Sequence, residues 1–476
     1  MLHPARKHSL SRSIAVRVVV GALLLVGGFR LVLASKPPWS VLGIHAGTAP
    51  TGVPWRMHTV DDSEPGPDGV RLADANHDGL PDIATGWERA GLSRLYLHPG
   101  YDKVRQPWPA VTVGVTAKAE DAVLVDLDED GALDVVTSTE GGDRRIYVQW
   151  APKNPARLLE PEAWEQDHFP GVEYLTQWMF ALPLDIDHEH GVDLVIGGKN
   201  DDWSVPTSLG WLESPPNPRD TAAWRWHPLH NEVSWVMSIL AEDVNEDGHV
   251  DILYTDKHGP WAGIHWLENP GSRELLPGLW KQHTVAVTGL TETSFVTVAD
   301  LDGDGRRDVL GSATLPAGTD GGGESATGDG GTASESNNLV FLRKLDGSGD
   351  HWEQHVIATP AGTGLPKGIS VADVDLDGRS DLVVTCSSAI DALIGVYWLS
   401  WRNSPFDGVW DAHDISGPVG TKYDLVPLVD FDGDGDLDAL STEEKESDKR
   451  GLGVVWYENP TQSSATSVAV TASANR

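Results

Sequence analysis

The sequence predicts an all-β fold, a seven-bladed β-propeller of four-stranded antiparallel blades closed by the N-terminal strand joining the last blade. Three observations predict it. A nine-residue acidic loop recurs seven times. Short apolar runs with strand-like alternation flank every copy. The last repeat lacks one strand, and the start of the chain supplies a spare one.

The loops are residues 74–82 (DANHDGLPD), 126–134 (DLDEDGALD), 185–193 (DIDHEHGVD), 243–251 (DVNEDGHVD), 300–308 (DLDGDGRRD), 373–381 (DVDLDGRSD) and 430–438 (DFDGDGDLD). Their start-to-start steps are 52, 59, 58, 57, 73 and 57. The long fifth step is explained by residues 316–338, a low-complexity Gly, Ser and Thr insertion. A chain of 476 residues would otherwise suggest several domains at about 150 residues each. A fixed repeat period replaces that reading with one array over residues 52–460.

Each repeat has the same order. An apolar strand such as Phe295-Val296-Thr297-Val298-Ala299 precedes the loop, and a second, such as Asp251-Ile252-Leu253-Tyr254, follows it. A third carries a Trp, as in Gly263-Ile264-His265-Trp266-Leu267-Glu268. The fourth is Trp-x-x-His: Trp224/His227, Trp280/His283, Trp352/His355 and Trp410/His413. Four antiparallel strands per repeat make a propeller blade, whose radial repetition leaves only short edges. The seventh repeat stops after Pro460 without its fourth strand, and Trp55-Arg56-Met57-His58-Thr59-Val60 fits the gap. Closing the ring this way removes an open seam. The histidines of the fourth strands are expected to make structural hydrogen bonds between blades.

The ends are different. Residues 1–34 carry Arg6, Lys7, Arg12, Arg17 and Arg30, no acid, and an apolar stretch before Val32-Leu33-Ala34. This is the pattern of a cleaved signal peptide. Arg30 interrupts the apolar stretch short of the ~20 residues of an uncleaved anchor, the rival reading. Residues 35–51 read as a linker and 461–476 as a disordered tail. The protein is therefore expected to be secreted, periplasmic or at the cell surface, and monomeric. Its net charge of -36 argues against nucleic acid and against a polybasic grip on membrane. A single cysteine, Cys386, excludes an intrachain disulfide.

The acidic loops point to a metal. Side-chain oxygens crowd at positions 1, 3, 5 and 9: Asp74, Asn76, Asp78 and Asp82; Asp126, Asp128, Asp130 and Asp134; Asp243, Asn245, Asp247 and Asp251. They continue as Asp300, Asp302, Asp304 and Asp308; Asp373, Asp375, Asp377 and Asp381; Asp430, Asp432, Asp434 and Asp438. Two such charges 4 Å apart repel by about 4 kcal/mol at an effective dielectric near 20. A cation relieves that repulsion, and an all-oxygen set of irregular spacing suits Ca²⁺ better than Mg²⁺. Gly at position 6 supplies the left-handed turn. An EF-hand would want Glu at position 12 and flanking helices; here position 12 is Thr85, Thr137, Tyr254, Gly311, Val384 or Ser441. In blade three Glu189 replaces the position-5 Asp and Gly191 comes one residue late, so Asp185, Asp187 and Asp193 are expected to form a weak or distorted site.

These D-x-[DN]-x-D-G-x-x-D loops with flanking strands resemble the FG-GAP or VCBS repeats of β-propellers, including the integrin α-subunit head. The resemblance spans nearly all of residues 52–460. It implies up to six or seven structural Ca²⁺ ions, with position 7 giving a backbone carbonyl: Leu80, Ala132, His249, Arg306, Arg379 and Asp436. The Phe-Gly and Gly-Ala-Pro ends of integrin repeats are mostly missing, and the Trp-Leu-Glu-Asn-Pro elements are more similar to secreted bacterial repeat proteins.

Ligands of propellers commonly sit on the face opposite such loops. Residues expected there are Trp203, His230, Glu232, Trp235, Lys257, His258, Trp261 and Tyr423. Aromatic rings beside Asp, Asn and Lys suit sugar binding. The favoured expectation is a calcium-stabilised binding module for carbohydrate or extracellular protein. The alternative is a carbohydrate lyase or dehydratase, since the repeats are also similar to the propeller part of aldos-2-ulose dehydratases. His258 with Lys257 and His230 with Glu232 are its candidate base and cation, and no catalytic motif marks them. A purely structural envelope protein is the third expectation.

Overall fold

Period-2 alternation in each repeat becomes a strand with one face against the next blade. The structure, a computed structural model, describes residues 39–41, 48–285, 292–315, 336–406, 409–444 and 451–462. The expected signal peptide, most of the expected linker, and the tail beyond Gln462 lie outside these.

Blade one is built from Pro67–Ala73, Asp82–Trp87, Leu92–Tyr96 and Ala110–Val115, in that order across one antiparallel sheet. Blades two to six repeat the order, beginning at Ala119–Val125, Gln177–Leu184, Val236–Glu242, Glu292–Ala299 and Leu365–Ala372. Blade seven has Leu428–Val429, Asp438–Glu443 and Gly453–Glu458, and its fourth strand is Arg56–Asp61. Arg56 pairs with Glu458 and His58 with Trp456, so the ring closes as the sequence predicts. Two details were not predicted. Trp39–Val41, inside the segment read as linker, adds a parallel strand to the outer edge of blade five. The strand after the insertion begins at Ser336, inside the segment read as low complexity.

The first strands surround the axis and pack against one another from blade to blade. Second-strand glycines permit close approach: a Cβ at Gly86 would lie 2.9 Å from that of Ala119 in blade two, and one at Gly197 2.5 Å from Val236 in blade four. Between blades lie Trp87, Trp178, Trp211, Trp266 and Trp456, all essentially fully buried. Each contributes at least the ~1.5–3 kcal/mol of a large buried side chain.

The Trp-x-x-His strand has a second purpose besides the one expected. His227, His283, His413 and His58 pair directly across from Trp211, Trp266, Trp398 and Trp456 of the third strand in the same blade. The rings stack, with centroids 4.0 Å apart for Trp266–His283 and 3.8 Å for Trp398–His413. The imidazole Nε2 then meets the carboxylate two residues after that Trp: Glu213 at 2.6 Å, Glu268 at 2.7 Å and Glu458 at 2.7 Å. These contacts bind strand three to strand four within a blade, and the expected bond between blades is made as well at His283, whose Nδ1 lies 2.7 Å from Asp350 of blade five. The reason is geometric: residues directly opposite in a ladder face the same side. The Trp preceding the histidine caps its own loop in three blades: Trp224 Nε1 donates to Pro218 O at 2.8 Å, Trp280 Nε1 to Leu276 O at 3.1 Å and Trp352 Nε1 to Gly349 O at 2.7 Å. Trp108 and Trp164 do the same in blades one and two, where no histidine signalled the position.

Candidate functional site

The seven acidic loops lie between the first and second strands, on one rim of the ring. The position-1 carboxylate gathers the turn by accepting two backbone N–H groups. Asp78 N and Gly79 N reach the two oxygens of Asp74 at 3.0 and 2.9 Å, and the same pair recurs at Asp126, Asp243, Asp300, Asp373 and Asp430. Position 6 is Gly at φ from 86° to 99°. Position 4 is left-handed as well, at 56° to 61° on the non-glycine residues His77, Glu129, Glu246 and Leu376. Four different side chains share that conformation, so no residue type revealed it in the sequence.

Position 9 has a second task. Asp134 accepts Leu127 N at 3.1 Å and Ala151 N at 2.7 Å, tying the loop to the end of the third strand. Asp82, Asp193, Asp251, Asp308 and Asp438 make the same two bonds. Burial pushes these carboxyls up, to about 6 at Asp82 and Asp251 and to about 8 at Asp134 and Asp438.

The oxygens nevertheless fit a hard cation. In blade two Asp126, Asp128 and Asp134 each place an oxygen within 4.8 Å of the others, as do Asp300, Asp302 and Asp304, and Asp373, Asp375 and Asp381. Asp128 Oδ1, Asp130 Oδ2 and Asp436 Oδ1 are buried acceptors without a hydrogen-bond partner. An all-oxygen set with orphaned buried acceptors is what a divalent ion such as Ca²⁺ would satisfy. Nearby cations already lean on these loops: Arg219 on Asp128 at 2.5 Å, and Arg343 on Asp302 and Asp304 at 2.5 and 3.2 Å.

Blade three differs in its turn and not in its carboxylates. Asp185, Asp187 and Asp193 are gathered as elsewhere. Asp185 accepts from His188 N at 2.8 Å, while Glu189 is drawn to Arg273. Both His190 and Gly191 are left-handed, at φ 59° and 91°.

On the opposite face, the axis opens into a cavity of about 350 Å³. Charged side chains from every blade wall it, among them Asp68, Glu120, Lys199, Lys257, Lys367 and Asp424. Lys367 Nζ donates to Asp424 at 2.7 Å, and Lys199 pairs with Glu140. Asp68 beside Asp424 is a buried carboxyl–carboxylate pair. Burial and the Asp424 charge push Asp68 up, whereas at Asp424 burial is outweighed by Lys367 and the carboxyl falls to about 2. Glu120 and Glu140 repeat the arrangement.

The predicted ligand-face residues fare unequally. Trp235 and Lys257 line the cavity. His258 stacks on Trp203 with centroids 4.1 Å apart and meets Trp235 edge-on. His258 and Lys257 approach the same Glu292 oxygen, at 3.7 and 3.4 Å. Trp261 sits beside the cavity in the turn Gly259–Trp261, its carbonyl 3.0 Å from His265 Nε2. His230 and Glu232 are elsewhere, on the outer strand Arg225–Val233 of blade three and not on the cavity wall. Tyr423 is wholly buried, its hydroxyl 2.7 Å from Val419 O and 2.8 Å from Tyr457 Oη. Its ring fills the space left by Gly395 and Gly420, where a Cβ would come within 2.2 and 2.3 Å.

Sequence reasoning missed Asp256. Its two oxygens accept Ser234 N at 2.7 Å and Trp235 N at 2.9 Å, which sets the turn carrying Trp235 into the cavity. Burial raises its carboxyl from 3.8 to about 6. A raised acid contributes stability that is full below about pH 3.8 and is lost as pH rises through 6. Asp256→Asn should therefore gain on the parent protein by about 2–3 kcal/mol between pH 4 and pH 7. Urea midpoints at the two pH values measure this, and a pH-independent difference would exclude Asp256 as a titrating group.

A closed ring of seven four-stranded blades with an acidic turn on one rim of each is a repeat propeller. The family model for the FG-GAP-like repeat matches residues 243–311, the span from the loop of blade four through that of blade five. The same loop at the same place in the other blades supports a propeller of the FG-GAP/VCBS repeat family. No curated protein matches the sequence. Among solved structures it is similar to BBS1N in complex with ARL6DN, at 11% identity and TM-score 0.44, over 86% of this chain and 97% of that one. It is also similar to AFV00434, an ancestral GH74 enzyme, at 14% identity and TM-score 0.47, over 85% of this chain and 48% of that one.

Proposed function

We propose that the protein is an exported, calcium-stabilised propeller that binds a carbohydrate ligand in the axial cavity. A propeller of FG-GAP repeats fits an interaction module. The observation that carries the finer reading is the separation of the two faces: acidic turns on one rim, and a walled polar cavity with Trp235 on the other. A concave site of about 350 Å³ suits a saccharide end better than a flat protein epitope. Calcium is supported by the orphaned acceptors of the loops, and export by the pattern of residues 1–34.

One observation favours the alternative of an eliminating enzyme. Lys257 is partly buried, and its desolvation together with the charge of Lys367 lowers its pKa, the direction a general base needs. An oligosaccharide panel on the Ca²⁺-loaded protein, read by calorimetry and by absorbance of unsaturated product, tests both. Binding without product is expected; product with turnover would establish the enzyme, and neither would overturn the carbohydrate reading.

A further inference from the structure

The arginines of the acidic rim follow the residue at position 3 of each loop. Where that residue is Asn, at Asn76 and Asn245, its amide turns to Asp78 or Asp247 at 3.0 Å. No Lys or Arg among the described residues is ion-paired there with a carboxylate at position 1, 5 or 9; in blade four Lys344 pairs with Glu246 at position 4, outside that set. Where the residue is Asp, an arginine is always present. Arg219 Nε donates to Asp128 at 2.5 Å in blade two, Arg343 Nε to Asp302 at 2.5 Å in blade five, and Arg105 reaches Asp432 in blade seven. In blades three and six the contact moves to position 5, as Arg273 with Glu189 and Arg379 with Asp377.

Most of these guanidinium groups are fixed by a second contact away from the carboxylate. Arg219 lies over Trp150 at 4.9 Å from the ring centroid, Arg343 over Phe406 at 5.1 Å and Arg379 over Trp401 at 5.4 Å. Arg105 makes two bonds of 3.0 Å to Glu458. The carboxylates beneath are nearly sealed, with side chains 9%, 4% and 3% exposed at Asp128, Asp302 and Asp432. At Asp128 the guanidinium takes Oδ2 alone and leaves Oδ1 buried without a hydrogen-bond partner. One carboxylate can thus serve an arginine and an ion together. Lys153 also comes within 3.4 Å of Asp130, but it is exposed, and such a pair contributes little. Charge accounts for the pattern. An Asn loop has three ligand carboxylates, whereas blade two has four with one guanidinium against them, so both present three net negative charges to an ion.

We infer that Arg105, Arg219, Arg343 and Arg379 are built-in counter-ions of the acidic turns, which hold the fourth charge of an all-Asp loop when no metal is bound and bring its calcium affinity down to that of the Asn loops. The inference rests on the calcium reading above and names the residues that set affinity. The test is the melting temperature of the full chain in excess Ca²⁺ and in chelator, with a calorimetric Ca²⁺ titration. Arg219→Gln should melt several degrees below the parent in chelator and close to it in calcium, with one site binding calcium about tenfold tighter. Adding Asp128→Asn to that variant should restore the parent's behaviour in both media. Asn76→Asp, which adds a fourth charge where no arginine waits, should repeat the Arg219→Gln pattern. Arg219→Lys keeps the charge and should stay near the parent; a loss as large as that of Arg219→Gln assigns the effect to packing on Trp150 and overturns the inference. A deficit for Arg219→Gln that is equal in calcium and in chelator, or an unchanged melt of Asn76→Asp in chelator, overturns it while leaving calcium binding in place. A parent protein that melts alike in both media overturns it together with the calcium reading.

Discussion

Stripping calcium with a chelator is expected to lower the melting temperature by about 10 °C or more. A site held at 100 times its dissociation constant stabilises by about 2.7 kcal/mol, and up to six regular loops act on one closed ring. The structure makes the effect specific. In each regular loop the position-1 carboxylate already holds two N–H groups, so the turn exists without the ion but concentrates charge. Changing Asp300, Asp302 and Asp304 together to Asn keeps an acceptor at every position and removes only the charge. That variant should lose several degrees in calcium and lose none in chelator, where the repulsion has gone. Asp185→Asn with Asp187→Asn should cost less, because the blade-three turn is held differently and Glu189 is turned away toward Arg273. An unchanged melt on chelation would exclude a structural ion, and equal losses in the two variants would show that the blade-three loop is an ordinary site.

Removing residues up to 61 should have the other large effect: loss of the soluble monomer, or a melt lowered until it is no longer cooperative. The strand Arg56–Asp61 completes blade seven. Without it the Gly453–Glu458 edge is bare, Trp456 loses the ring of His58 stacked at 4.5 Å, and Glu458 loses its 2.7 Å partner. The buried side chains of Trp55 and Val60 are lost as well. An apolar strand edge left open is a site of aggregation. A synthetic peptide of residues 52–62 added in trans should restore the monomer and its melt. A truncated protein that melts like the full chain would mean that closure contributes nothing. The milder His58→Ala should cost about 1–2 kcal/mol, from the stack and the hydrogen bond to a charged group.

Much of this architecture was legible before any coordinates because the repeat states it seven times. Blade number, strand order and the closing strand all follow from loop spacing and from the fourth strand that the last repeat lacks. The carboxylate clusters were legible too, since Asp at alternate positions has few other uses. Tasks set by register were less visible. Position 9 is a single residue with two duties, and nothing in its identity announces the bond to the strand after next. The Trp–His–Glu stack needed the pairing of strands three and four, which the sequence implies only once the blade is assumed. The ligand face was hardest. Tyr423 and Lys257 both follow a second strand or precede a first, and only the glycines at 395 and 420 show why one is core. His230 was misplaced because the outer strand of blade three runs to nine residues and carries it away from the axis.

Arg56 lies directly across the ladder from Glu458. Arg56 and Glu458 are thus a single hydrogen-bonded step apart, while the residues ahead of Arg56 run along the outer edges of blades five and six, where Trp39–Val41 pairs with residues 354–356 and Thr51 with His413. Sequence order is then one of seven equivalent ways to thread the same circle. A few residues could splice the two points together, and fresh termini could be opened between any pair of blades with every contact kept. Domains joined directly at Arg56 and at Glu458 would emerge side by side, like two leads from one socket.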